Sequence, residues 1–197
     1  MTRLVVLASG TGTNLQAILD ASSDGRLPAV VAAVVTNKAG TGAQQRAAAA
    51  GVPFVQVSPH VGEERADYDA RLADIVSGFD PEWVVLAGWM RILSMSFLGW
   101  FPGMVVNLHP ALPGELPGVD SIARAWHEAR DGRRHCTGVM VHLVPDEGVD
   151  VGPVLATATV PIHPSDTLES LSQRVHGVEH RLLVETLATL CTTGANA

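Results

Sequence analysis

Short apolar runs alternate with amphipathic stretches through the first half of the chain. The apolar runs predict strands, and the periodicity of the stretches between them predicts helices. The predicted strands are 4–8, 30–35, 54–57 and 83–87, and the predicted helices are 14–21, 44–50 and 67–79. Continuous apolar strands that alternate with helices are typical of a parallel sheet covered on both faces. We therefore predict an α/β fold, with a Rossmann-like, doubly wound, mostly parallel sheet and helices on both faces.

The pattern changes after the fourth strand. A fifth strand is predicted at 104–108, and a loop rich in proline and glycine follows at 110–118. The elements predicted beyond this loop are a helix at 121–130, strands at 138–144 and 154–160, and a long closing helix at 167–190. No internal repeat or low-complexity linker divides the chain, so we predict a single domain over residues 1–197.

Composition narrows the possible partners. The 197 residues carry a formal net charge of −7, and 47% of them are hydrophobic against 17% charged. This acidic balance disfavours nucleic acid as a partner, because a nucleic-acid surface needs a basic stripe. The two cysteines, Cys136 and Cys191, lack metal-ligand spacing. No apolar run approaches the roughly 20 residues that span a bilayer, and no signal-peptide pattern is evident, so we expect a cytoplasmic protein with no membrane partner.

A glycine loop follows the first predicted strand, with the sequence Ser-Gly-Thr-Gly-Thr-Asn at 9–14. Glycines permit a tight turn, and the free N–H groups at the start of the next helix favour an anion such as phosphate. Leu15 replaces the third glycine of a dinucleotide site, and the second strand ends without an acidic residue. The loop therefore indicates a monophosphate rather than NAD, with a purely structural turn as the alternative.

Two further segments carry candidate chemistry. Asn107 and His109 lie two residues apart at the carboxyl end of the fifth predicted strand, so their side chains project to the same face. Ligands of open α/β sheets bind at such strand ends. The acidic segment 146–153 contains Asp150 and could orient a histidine. A structural histidine and a solvated acidic turn are the alternatives for these two segments.

Together these segments resemble a known family. The segments 9–15, 86–93, 107–112 and 146–153, in this order and at this spacing, are similar to the motifs of the folate-dependent formyltransferases. The resemblance spans most of the chain. It implies transfer of a formyl group from 10-formyltetrahydrofolate, as co-substrate and without a metal, to the amine of glycinamide ribonucleotide in purine synthesis. It also implies a phosphate-binding half at about 1–100 and a catalytic, folate-binding half at about 101–197.

The resemblance assigns roles to individual residues. Asn107, His109 and Asp150 match the catalytic residues of the family. The residues that match the substrate site are Gly12, Thr13 and Asn14 at the phosphate and Glu179 at the ribose, with Arg65 as a further candidate for anion binding. The residues that match the folate cleft are Met90, Arg91, Ile92 and Leu93 on one wall and Val144, Asp146 and Gly148 on the other. A homodimer is a further possibility that the family suggests.

The chain also departs from the family pattern. Its loop reads Leu112-Pro113-Gly114 where the family has Leu-Leu-Pro, Asp120 stands where the family has a histidine, and Pro145 lengthens the acidic segment. Another amine, such as that of an amino-sugar nucleotide, is therefore an alternative substrate, and a non-catalytic folate- or nucleotide-binding module is an alternative function. His176 and His180 flank Glu179 in a spacing that one class of metalloproteases uses, but we predict no metal there.

Overall fold

Seven strands form one sheet in the computed structural model, which describes residues 1–193. The strands are β1 (Thr2–Leu7), β2 (Ala29–Thr36), β3 (Phe54–Gln56), β4 (Trp83–Leu86), β5 (Val105–His109), β6 (Cys136–Leu143) and β7 (Val154–Pro161). The helices are α1 (Thr13–Ser23), α2 (Gly42–Ala49), α3 (Arg65–Ser77), α4 (Met95–Leu98), α5 (Ser121–Arg130) and α6 (Leu168–Thr193).

The order of strands across the sheet is β3-β2-β1-β4-β5-β6-β7. The first five strands pair in parallel, whereas β6 pairs antiparallel with both β5 and β7. The chain winds outward from β1 towards β3 and then from β4 towards β7, so the direction reverses between β1 and β4. This reversal leaves a crevice at the carboxyl ends of the two strands, where ligands of such folds bind. The predicted Rossmann-like, mostly parallel sheet is confirmed.

Alternate residues of the strands enter two separate apolar layers. Leu4 and Val6 of β1 belong to the layer that contains α1, α2 and α6. Val5 and Leu7 belong to the opposite layer, which contains α3 and α4. Because successive side chains of a strand point to opposite faces, one apolar run supplies both layers. The predicted placement of helices on both faces is confirmed.

Most element boundaries lie within a few residues of the predicted ones. The exception is α4, a single turn over Met95–Leu98 that the sequence analysis did not predict, because four residues are too few to show a helical period. Strand β6 begins at Cys136, two residues before the predicted start. Among the helices of residues 1–193, none is both long and apolar enough to cross a membrane.

Candidate active site

Strand β5 presents Asn107 and His109 on one face of the sheet. Val105, two residues before Asn107, packs in the layer of α3 and α4, so Asn107 and His109 point to that side. In the antiparallel register of β5 and β6, Asn107 lies directly opposite His142. Cross-strand neighbours of this kind lie close together on one face. Asn107 and His142 therefore project side by side from two paired strands inside the sheet.

The loop that joins β6 to β7, residues 144–153, brings a carboxylate to this face; we call it the acid loop. Asp150 Oδ1 accepts a hydrogen bond from Asn107 Nδ2 at 3.1 Å, and Asp150 Oδ2 lies 3.2 Å from His109 Nδ1. The backbone N–H of Gly118 donates to Asp150 Oδ2 at 2.8 Å. Asp150 adopts a left-handed backbone with φ of 56°. Amide, imidazole and carboxylate therefore lie within hydrogen-bond distance of one another at this face of the sheet.

His109 is buried, with 4% of its surface exposed. Its Nε2 lies 3.1 Å from the carbonyl oxygen of Leu116. Because a carbonyl oxygen only accepts, Nε2 carries a hydrogen, and Nδ1 is the ring atom that gains and loses a proton. Burial lowers the pKa of His109 below its ordinary value, although the nearby Asp150 carboxylate opposes this shift. The titrating nitrogen therefore faces Asp150.

Asp150 keeps its negative charge in this setting. Burial alone would raise its pKa, but the hydrogen bond from the Gly118 N–H and the nearby His109 ring lower the pKa of Asp150 below its ordinary value. A carboxylate that stays ionised beside an imidazole favours the protonated imidazole and accepts its proton in a hydrogen bond. The pair can therefore hold and release one proton between Nδ1 and Oδ2.

His142 belongs to the site although its role was not predicted from the sequence. It is 1% exposed, and its Nδ1 lies 2.8 Å from the Leu143 carbonyl oxygen while its Nε2 lies 3.0 Å from Asn107 Nδ2. Nδ1 therefore donates to the carbonyl, and Nε2 accepts one hydrogen of the Asn107 amide. The signal in the sequence was a histidine inside an apolar strand, but its partner depends on the antiparallel register, which the sequence does not reveal.

The predicted phosphate loop forms the N-terminus of α1. Gly12 caps this helix in the left-handed region with φ of 74°, and no side chain caps the helix. The first N–H groups of an uncapped helix are free to bind an anion. Helix α2 supports the loop from behind, because Arg46 Nε donates to the Thr11 carbonyl oxygen at 3.0 Å. Gly12, Thr13 and Asn14 thus lie where an anion would be held.

Helix α6 places a buried carboxylate beside this loop. Glu179 is 4% exposed, and its Oε2 accepts from Asn14 Nδ2 at 3.5 Å and lies 2.7 Å from His176 Nδ1. The hydrogen bond to Glu179 raises the pKa of His176 above its ordinary value. The fold therefore places Glu179 beside Asn14 of the phosphate loop, although the two residues are 165 positions apart in the sequence. Within residues 1–193, no group of three or more metal-ligating side chains is clustered.

The segment from Ala87 to Ser94 joins β4 to α4 and forms an irregular wall beside the crevice; we call it the wall segment. Met90 and Ile92 are exposed at 67% and 49%, whereas Leu93 is buried. Arg91 lies over the ring of Tyr68, with its guanidinium carbon 4.5 Å from the ring centroid. The exposed apolar side chains of this wall, next to the acid loop, suit the flat face of an aromatic ligand.

The loop between β5 and α5 adopts its own local structure. Its Leu116 carbonyl contacts His109, and its Gly118 N–H contacts Asp150, so the altered sequence of this loop lies against two candidate catalytic residues. Leu116 adopts a left-handed backbone with φ of 45°. Asp120 precedes α5 and is exposed without a capping hydrogen bond.

Comparison with known proteins decides the family. The matching protein family is described as formyl transferase, and the match extends over residues 2–187. The chain belongs to the formyl transferase family. A phosphoribosylglycinamide formyltransferase from Dictyostelium discoideum is 38% identical over 203 residues, which cover 96% of this chain and 98% of that protein. Another from Mycobacterium tuberculosis H37Rv is 41% identical over 192 residues, which cover 98% of this chain and 86% of that protein.

Solved structures of the formyl transferase family have the same fold. Glycinamide ribonucleotide transformylase 1 from Geobacillus kaustophilus matches with a TM-score of 0.89 at 41% identity, over 96% of this chain and 98% of that one. Phosphoribosylglycinamide formyltransferase from Bacillus halodurans matches with a TM-score of 0.91 at 35% identity, over 98% of this chain and 97% of that one.

Two further candidate residues of this formyl transferase, Arg65 and Asp146, are engaged by other parts of the protein. Arg65, a candidate for anion binding, is the first residue of α3, and its guanidinium pairs with Glu147 of the acid loop. Asp146 is exposed, and its Oδ1 accepts from the Gly148 backbone N–H at 2.8 Å, which shapes the turn of the acid loop. Glu147 has no role that the sequence predicted.

Proposed function

We propose that this protein transfers the formyl group of 10-formyltetrahydrofolate to the amine of glycinamide ribonucleotide, a step of purine synthesis. The observation that carries this proposal is the convergence of Asn107, His109 and Asp150 at the crevice of the sheet. The support for this particular amine is the agreement over nearly the whole chain with relatives that are named for this reaction.

The two substrates occupy the two sides of the crevice. The free N–H groups of Gly12, Thr13 and Asn14 hold the substrate phosphate, and Glu179 accepts a hydrogen bond from a ribose hydroxyl. Folate lies between the wall segment and the acid loop. The residues that line its site are Met90, Arg91, Ile92 and Leu93 on the wall segment and Val144, Asp146 and Gly148 on the acid loop.

The reaction places negative charge on one oxygen. The substrate amine attacks the formyl carbon, which gives a tetrahedral intermediate with an oxyanion. The Asn107 N–H that donates to the neutral His142 Nε2 turns to the charged oxygen instead. Hydrogen bonds to charged acceptors are stronger, so this exchange stabilises the oxyanion. The gain appears only when the charge develops, so it accelerates the reaction rather than binding the substrate.

One proton must also move, from the attacking amine to N10 of the leaving folate. His109 Nδ1 and Asp150 Oδ2 lie 3.2 Å apart and share a proton site. When the amine loses its proton to this pair, the pair returns a proton to N10 as the bond between carbon and N10 breaks. The folate leaves without its formyl group, and no further reactant is consumed.

A second candidate substrate is the amine of an amino-sugar nucleotide. The observation that favours it is the altered loop, which contacts His109 and Asp150 through Leu116 and Gly118. Such a substrate would also place a phosphate at the glycine loop. The remaining parts of the proposal are a cytoplasmic location, small molecules as the partners and a homodimer as the assembly.

An amine panel tests the proposal. Purified protein is mixed with 10-formyltetrahydrofolate and either glycinamide ribonucleotide or an amino-sugar nucleotide, and the release of tetrahydrofolate is followed. We expect rapid release of tetrahydrofolate in the mixture that contains glycinamide ribonucleotide and none in the mixture that contains the amino-sugar nucleotide. Release only in the mixture with the amino-sugar nucleotide would make that nucleotide the substrate in place of glycinamide ribonucleotide. Folate binding without release in either mixture would favour a non-catalytic module.

A further inference from the structure

The acid loop is held at two points that lie three residues apart. At the inner point, Asp150 accepts hydrogen bonds from Asn107 and from the Gly118 backbone. At the outer point, Glu147 reaches across to a different part of the molecule. Its Oε1 accepts from the backbone N–H of Met95 at 3.2 Å, and its Oε2 pairs with Arg65 Nη2.

The Met95 N–H and the Arg65 guanidinium lower the pKa of Glu147 below its ordinary value, in that order of effect. Glu147 is therefore an anion that accepts from two donors at once. Met95 directly follows the wall segment, and Arg65 begins the neighbouring helix α3. The Glu147 contacts thus connect the acid loop to the opposite side of the cleft in which folate is proposed to lie.

The wall segment is itself fixed at two points, one in its middle and one at its end. The Met90 backbone N–H donates to Ser9 Oγ at 3.0 Å, and the Ser94 backbone N–H donates to Asp69 Oδ2 at 2.6 Å. Both acceptors are buried, Ser9 at 1% and Asp69 at 0% exposure. An irregular segment that buried side chains hold at two points has a defined position. Glu147 therefore ties the acid loop to a part of the cleft that does not itself depend on the acid loop.

We propose that Glu147 is a positioning residue, which fastens the acid loop across the folate cleft and thereby sets both the width of the cleft and the placement of Asp150 beside His109. Arg65 acts through Glu147 by orienting its carboxylate. The inference rests on the proposed formyl transfer, because the cleft and the role of Asp150 come from it.

The contact suits a positioning role better than a stabilising one. The side chains of Arg65 and Glu147 are 46% and 40% exposed. Ion pairs that are this exposed contribute little to folding stability. Their loss should therefore leave the fold intact and alter only the geometry of the loop, so an effect on catalysis would not be a consequence of unfolding.

The first test compares Glu147→Ala and Glu147→Gln with a matched control, Glu64→Gln. Glu64 neighbours Arg65, and its exposed side chain does not cap α3. We expect Glu147→Ala to raise the KM for 10-formyltetrahydrofolate about tenfold, which corresponds to one lost hydrogen bond, and to lower kcat. The KM for glycinamide ribonucleotide and the melting temperature should stay unchanged. Glu147→Gln should be intermediate, since its amide oxygen still accepts from Met95, and Glu64→Gln should match the wild type.

A double-mutant cycle separates the two roles that Arg65 could have. If Arg65 acts through Glu147, Arg65→Ala raises the folate KM in the wild-type protein but has no further effect in the Glu147→Ala protein. Equal effects in both proteins would mean that Arg65 binds a ligand directly and would overturn its role in orienting Glu147.

The result that overturns the role of Glu147 is a Glu147→Ala protein with wild-type kcat and folate KM while Asp150→Asn is inactive. If Asp150→Asn also keeps full activity, the proposed catalytic site fails instead. The isosteric Glu147→Gln variant gives the same distinction should the alanine variant not fold.

Discussion

A single nitrogen of the His109 ring titrates in this site. Nε2 is engaged with the Leu116 carbonyl, so the proton comes and goes at Nδ1, which faces Asp150. Burial lowers the pKa of His109, and the carboxylate raises it. The two influences oppose each other, which keeps the imidazole able both to take a proton and to give it up.

Removal of the Asp150 carboxylate should leave burial as the main influence on the pKa of His109. In Asp150→Asn the raising influence is lost, so we expect the pKa of His109 to fall further below its ordinary value. NMR titration of the His109 ring measures this pKa. Asp120→Asn is the control, because that exposed carboxylate belongs to the same region without contacting His109. An unchanged His109 pKa in Asp150→Asn would contradict the geometry of the pair.

His142 should matter for stability as well as for the orientation of Asn107. Replacement by Leu leaves one hydrogen of the half-buried Asn107 amide without its acceptor. We expect the free energy of unfolding to fall by about 1–3 kcal/mol, measured by urea denaturation. If His142→Leu is as stable as the wild type, the Asn107 amide does not depend on this acceptor.

Residue identities were only partly predictable. Asn107 and His109 could be paired from the sequence because a strand places residues two apart on one face. Asp150 was assigned through the family resemblance, since nothing in its own segment says which strand it approaches. His142 was missed, because its role comes from the register of β6 against β5, and β6 is buried on both faces and so lacks the alternation that would indicate a register.

At the scale of elements, the phosphate loop depends on close packing between two helices. A Cβ added at Gly12 would lie 2.7 Å from the Ala43 Cα of α2, and Gly12 has a positive φ of 74°. Side chains neither fit there nor favour that backbone conformation. The same addition at Gly10 meets nothing within 4 Å. Within one motif, Gly12 thus has no room for a side chain, whereas Gly10 has room for one.

This difference gives a paired prediction. Gly12→Ala should destabilise the protein by about 1–3 kcal/mol, the cost of strain and overpacking, and should raise the KM for glycinamide ribonucleotide. Gly10→Ala should leave both the stability and the KM near those of the wild type. Thermal unfolding and steady-state kinetics measure the two effects. Equal behaviour of the two variants would show that the loop is not held by its contact with α2.

Regular elements were predicted well, and irregular ones were not. The strands are continuous apolar runs, and the longer helices show their period, so both are visible in the sequence. The short helix α4 and the loops on either side of the cleft are held by contacts with distant residues. In two such contacts, the backbone N–H of Met95 donates to Glu147 and that of Ser94 donates to Asp69. Neither contact follows from local propensity.

At the scale of the whole molecule, the site is assembled by the reversal of strand order. The phosphate loop follows β1 and the wall segment follows β4, and these two strands are neighbours although some 76 residues separate Leu7 from Trp83. Ser9 joins the two loops through its bond to Met90. The sequence predicted the fold class, but the order of strands and the antiparallel pairing of β6 and β7 required the structure.

Stability and catalysis should be separable at this scale. Leu183 of α6 is fully buried against the sheet on the side away from Asn107. We expect Leu183→Ala to lower the free energy of unfolding by about 2–5 kcal/mol through cavity formation, with kcat little changed while the protein stays folded. Denaturation and kinetics on one preparation measure both. A loss of kcat in the folded protein would show that the two layers are coupled.

The most direct test of the account is the rate of formyl transfer in Asn107→Ala. Single-turnover transfer from 10-formyltetrahydrofolate to glycinamide ribonucleotide is measured together with folate affinity. We expect the rate to fall by about 10²–10³, the loss typical of one oxyanion donor, while folate still binds with near wild-type affinity. Transfer at the wild-type rate in this variant would contradict the assignment of the site.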